Sequence, residues 1–141
     1  SEMCIRDRLY VFDWNSIGSG DNVALLDEMI DEILAETGAE KVGLAGHSAG
    51  GGVGYDYLSD ATRAAKVAMY AHVASGGQSG PAGPEGEIPT LNIWSMADQV
   101  TGGSDIPGAT NMVQEDADHY QILTNAPTFD ALFSFFTDSV M

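Results

Sequence analysis

The sequence carries one cysteine, Cys4, which excludes an internal disulfide and a cysteine-built zinc site. Bases are scarce: five Lys and Arg stand against 21 Asp and Glu, for a net charge of −16. Nucleic acid and anionic membrane surfaces both reward Lys and Arg, so neither is expected as a partner. No apolar run approaches the ~20 residues that span a bilayer, so no integral membrane segment is expected. Charged residues make up only 18% and apolar residues 44%, the balance of a folded chain. A length of 141 residues suits one domain with a single core. Glycine is plentiful, at 17 residues, but follows no Gly-X-Y period.

Residues 1–8 show neither strand alternation nor the apolar stretch of a signal peptide. Met3-Cys4-Ile5-Arg6-Asp7 reads as the translation of a transposon adapter common in metagenomic sequencing. Residues 1–8 are therefore expected to be a sequencing or cloning scar, and 9–141 the domain. Without the scar the only cysteine goes, and so do Glu2, Asp7, Arg6 and Arg8, leaving the net charge at −16.

Leu9–Trp14 is β-branched and aromatic and is expected to be a strand. Asn15–Asn22 reads as a loop, with Asp21 or Asn22 capping a helix that runs to Gly38. Its apolar face is Val23, Leu26, Ile30, Ile33 and Leu34. Its other face is acidic, with like-charged pairs Asp27–Asp31, Glu28–Glu32 and Glu32–Glu36. Lys41–Ala45, Lys66–Val73, Leu91–Trp94 and Asn111–Gln114 are further strand candidates. A helix is expected to run on from the stretch Gly46–Gly52 to about Leu58, and Ser75–Pro89 is a Gly/Pro-rich loop. Phe129, Leu132, Phe133 and Phe136 mark the apolar face of a terminal helix. Alternating strands and helices predict an α/β fold, a mostly parallel sheet of about five strands with helices on both faces.

Gly46-His47-Ser48-Ala49-Gly50 matches the G-x-S-x-G nucleophile elbow, and the required strand precedes it. In such a turn the flanking glycines let strand and helix approach, and the serine oxygen projects at the helix N-terminus. The backbone N–H of Ala49 is then an oxyanion donor. The serine needs a base, and His119, beyond the last strand, is favoured, because functional groups gather past the carboxyl ends of parallel strands. His47 lies within the elbow, where its side chain is expected to point away from the nucleophile. His72 is expected to be packed and hydrogen-bonded. Asp98, four residues beyond Trp94, is favoured as the acid over Asp105, Asp116 and Asp118. The order Ser48, Asp98, His119 is the α/β-hydrolase order.

Arg8–Asp13, Glu36–Val42, Gly46–Gly51, Ile93–Asp98 and Gly108–Met112 with His119 together resemble the small, lid-less bacterial triacylglycerol lipases of the α/β-hydrolase superfamily. The resemblance covers nearly all of 9–141. It implies Ser48 as nucleophile, Asp98 as acid, His119 as base, and ester hydrolysis with no cofactor or metal. It implies a small-molecule or lipid ester as substrate and a secreted protein. It further implies that Leu9–Trp14 is the fourth strand of a truncated fold, with the third strand and the loop carrying a second oxyanion donor upstream of Leu9. Weak activity and exposed strand edges are then expected. Lipase, feruloyl-type esterase and polyester depolymerase all fit these residues. A thioesterase or peptidase, an impaired fragment and a non-catalytic binding module on the same fold are the alternatives. Ser75–Pro89 is expected to border the acyl site. The short run from Val73 to Leu91 leaves little room for a helical lid, which favours short or soluble esters at least as much as emulsified fat.

Overall fold

The computed structural model describes residues 9–12 and 21–138. The expected scar, Asp13–Trp14 of the first strand candidate and most of the loop after it lie outside the described residues. Helix α1, Asn22–Thr37, begins where the Asp21 carboxylate accepts the N–H groups of Val23 and Ala24. It ends at Gly38, whose φ of 73° is left-handed and whose N–H closes on the Leu34 carbonyl. Strand β1, Val42–His47, leads into α2, Ala49–Leu58, and the short α3, Ala61–Ala64. Strands β2 (Val67–Val73), β3 (Thr90–Ser95) and β4 (Thr110–Gln114) follow, then α4 (Gln121–Thr124) and α5 (Ala126–Asp138).

The four strands form one parallel sheet in the order β1-β2-β3-β4. Strand alternation splits the core in two. On one face Leu26 and Ile30 of α1 and Tyr57 and Leu58 of α2 meet Val67 and Tyr70, with Ala82 and Ile88 of the long loop joining them. An irregularity in register, Val42 pairing with Val67 but Gly43 with Met69, puts Val67 and Tyr70 on the same face despite their odd spacing. On the other face Ala71, Val73, Leu91 and Ile93 meet Ile122 and the α5 side chains Leu132, Phe135 and Phe136. Helices thus cover both faces, as expected.

Three expectations need correction. Leu9–Phe12 is not a strand: Leu9 and Val11 are exposed, and only Phe12 packs on the first core. A β-branched segment becomes a strand only when a neighbour takes its backbone hydrogen bonds, and this segment pairs with none of the four strands. The sheet therefore has four strands among the described residues, not five. Second, strand and helix do not alternate throughout, since 74–89 and 96–109 cross over without a helix. Third, the apolar face of α5 is Thr128, Ala131, Leu132, Phe135 and Phe136; Phe129 and Phe133 are 66% and 64% exposed. Both sets have helical spacing, and sequence periodicity alone does not say which stripe meets the sheet.

Candidate active site

Parallel register brings the strand ends level. His47 pairs with Val73, Val73 with Ile93, and Ser95 with Gln114. The turn after β1, the turn after β3 and the loop after β4 therefore open at one edge of the sheet. Ser48 occupies the first of these with φ 56° and ψ −127°, a conformation that costs about 1–3 kcal/mol for a side-chain-bearing residue. Gly46 makes this turn possible: a Cβ there would stand 2.6 Å from the Gly50 carbonyl oxygen and 2.9 Å from Gly51 Cα. Gly50 is different from what its place in the motif suggests, because a Cβ there meets nothing within 4 Å. The close approach of β1 and α2 rests on Gly46, and Gly51 gives α2 its close fit to His72 of β2 and to Ser75 in the turn after it.

The structure brings Ser48, His119 and Asp98 together. His119 Nε2 lies 2.9 Å from Ser48 Oγ, and His119 Nδ1 lies 2.9 Å from Asp98 Oδ2. An ionised carboxylate only accepts, so Nδ1 carries the proton and Nε2 presents its lone pair to the Ser48 hydroxyl. The Asp98 side chain is 0% exposed. Burial by itself would raise its pKa. Hydrogen bonds from His119, from the N–H and hydroxyl of Thr101 and from the N–H of Val100 outweigh it and hold the carboxyl at about 2. Asp98 is thus an anion in a dry site.

The rival carboxylates are engaged elsewhere or exposed. Asp105 accepts the Trp94 indole N–H, Asp118 accepts the N–H groups of Tyr120 and Gln121 at the start of α4, and Asp116 is exposed. His72 is fully buried and hydrogen-bonded, as expected. His47 does not point away from the site. Its Nε2–H donates to the His119 carbonyl at 3.0 Å, and the two rings lie 5.0 Å apart. The side chain at the end of β1 bends back over the loop after β4, a tertiary contact that strand alternation does not encode. Sequence reasoning also missed Thr101. Its signal was there, because Asp-x-x-Thr is a pattern in which an aspartate accepts from the turn that follows it. Ala49 opens α2, so its N–H is one of the first-turn amides without a helical partner.

No protein-family model matches the chain. Among solved structures, it is similar to a predicted CIB-like hydrolase from Thermoplasma acidophilum, with a TM-score of 0.58 and 21% identity over 86% of this chain and 61% of that one. It is also similar to MGS-MChE2, an α/β hydrolase enzyme from the metagenome of sediments from the lagoon of Mar Chica, Morocco, with a TM-score of 0.60 and 16% identity over 84% of this chain and 71% of that one. The chain thus spans less than two thirds of the length of the first. At these identities the likeness is one of fold. The four-stranded parallel sheet with its covering helices is part of an α/β-hydrolase fold.

Proposed function

We propose that the chain is a serine hydrolase of carboxylic esters working by two-step acyl transfer, with Ser48 as nucleophile, His119 as base and Asp98 as the carboxylate behind it. The observation that carries this reading is the unbroken line Asp98–His119–Ser48, 2.9 Å at each step, ending on a serine of strained backbone. Ser48 Oγ attacks the ester carbonyl while its proton passes to His119 Nε2. The oxyanion that forms accepts from the Ala49 N–H. The intermediate collapses, the alkoxide takes the proton from His119, and the acyl group stays on Ser48. Water then attacks the acyl carbonyl while its proton passes to the same nitrogen; as the acid leaves, Ser48 Oγ takes that proton back from His119. Asp98 stays ionised throughout and balances the transient imidazolium.

The substrate class is a small-molecule or lipid ester; thioesters and polyesters have the same reacting carbonyl. Hydrolysis of p-nitrophenyl butyrate, with fluorophosphonate labelling of Ser48, tests the reading. Ser48→Ala is expected to lower the rate by about 10⁴-fold or more and to abolish labelling. A variant that keeps its rate within tenfold overturns it.

A further inference from the structure

Behind Ser48 lies a polar cluster for which the acyl-transfer cycle has no chemical use: Ser75, His72 and Tyr70. The Ser48 backbone is held from both sides. Its N–H donates to the Val73 carbonyl at 3.0 Å, and its carbonyl accepts the Gly51 N–H at 2.9 Å. The same carbonyl also accepts the Ser75 hydroxyl, a side chain reaching in from the turn after β2. Ser75 sits between Ala74 and Gly76, with left-handed φ values of 48° and 89°. His72 closes this turn, since its Nε2–H donates to the Gly76 carbonyl at 3.0 Å.

His72 is fully buried, with the Tyr55 ring edge-on at 5.0 Å. Its Nδ1 lies 3.0 Å from the Tyr70 hydroxyl, which also reaches the Gly51 carbonyl at 3.0 Å. Two side chains of β2 thus tie the turn that bears Ser75 to the first turn of α2. The fit is close: a Cβ on Gly51 would overlap the Ser75 side chain and stand 2.7 Å from His72 Cε1.

The peptide unit involved is the decisive point. The Ser48 carbonyl and the Ala49 N–H belong to one planar trans peptide, in which C=O and N–H point in opposite directions. Whatever holds the carbonyl aims the N–H, and a proton donated to the carbonyl oxygen polarises the amide and strengthens its N–H as a donor. We propose that Ser75 is a positioning residue for the oxyanion site: its hydroxyl orients and polarises the 48–49 peptide so that the Ala49 N–H meets the charge that develops on the substrate oxygen. This rests on the reading of Ser48 as nucleophile. The interaction strengthens as the oxyanion forms, so its loss falls on kcat and leaves KM in place.

The test is Ser75→Ala and Ser75→Cys beside Ser48→Ala, with p-nitrophenyl butyrate as substrate and phenylboronic acid as a tetrahedral, anionic mimic. Ser75→Ala is expected to lower kcat by about 10–100-fold with KM within twofold. Boronate affinity should fall in step with kcat/KM, and amide hydrogen exchange should rise in 46–52. Ser75→Cys, of similar size and weaker as a donor, should fall between; it also serves if the alanine variant does not fold. Ser48→Ala inactive with Ser75→Ala within twofold of the parent overturns this inference and spares the hydrolase reading. Ser48→Ala with its rate intact overturns both.

Discussion

Asp98 and Asp31 are the same residue type in opposite surroundings. Asp98 stands at the carboxyl end of the sheet, 0% exposed, and accepts four hydrogen bonds. Asp31 stands on α1 with its side chain 55% exposed and pairs with Lys66 Nζ at 2.8 Å. In the dry site a carboxylate persists only if its lone pairs are used, so its geometry is dictated by its donors. On the helix water does most of that work, and an ion pair adds little. The difference teaches where a carboxylate in this strongly acidic chain is held by the fold and where water and a surface ion pair carry it.

Removing each charge breaks the comparison most directly. Asp98→Asn puts an amide against His119 Nδ1 and disfavours the tautomer that faces Ser48. Ester hydrolysis is expected to fall by about 10³–10⁴-fold, read as kcat, whereas Asp31→Asn should leave the rate within twofold. Equal effects would refute the contrast.

Acid sharpens it. Asp98 is held at about 2 against an ordinary 3.8, so the unfolded chain binds its proton first as pH falls. That stabilisation is complete above about pH 4 and is lost between there and pH 2; it amounts to roughly 2 kcal/mol. Denaturant unfolding across this window should show the loss in the parent and a reduced slope in Asp98→Asn.

His72 adds an earlier step of the same sign. Burial, against the Gly76 hydrogen bond, lowers its pKa, so the unfolded chain takes up this proton first as pH falls below about 6.5. Stability should therefore decline from about pH 6.5 downward. His72→Gln should flatten that part of the curve and leave the lower step in place.

The smallest effects belong to α1. Lys66 bridges Asp27 at 2.9 Å and Asp31 at 2.8 Å, so one of the expected repulsive pairs is relieved by a base that is remote in sequence. Lys66→Met should cost about 1 kcal/mol at low salt and less in 0.5 M NaCl. In the parent, Glu28–Glu32 and Glu32–Glu36 keep a repulsion of about 0.2–0.5 kcal/mol each. The melting temperature should therefore rise modestly from about 0.01 to 0.5 M NaCl as the Debye length shrinks. A flat or falling curve would count against self-repulsion in α1.

The elements that could be read from the sequence are those whose signals are local. Asp21 and Gly38 bracket α1 because a cap needs only neighbouring residues, and Gly46-x-Ser48 marks its turn because the strain is local. The strand ends that carry Asp98 and His119 followed from short apolar runs. What was not legible depended on partners far along the chain. Leu9–Phe12 has strand composition and no ladder. Phe129 and Phe133 have helical spacing and remain exposed, and His47 turns back onto the His119 carbonyl.

By itself the sequence determined which residue types were available for chemistry, their order, and the parallel α/β class, because capping, periodicity and the steric needs of one tight turn operate within a few residues. Tertiary structure alone decided that His119 comes within hydrogen-bond reach of both Asp98 and Ser48, that His47 turns back onto the His119 carbonyl, and that Ser75 holds the peptide behind Ser48. Those are contacts between turns brought together by strand register. Their distances follow from how four strands align and pack, a property of the whole sheet that no single segment contains.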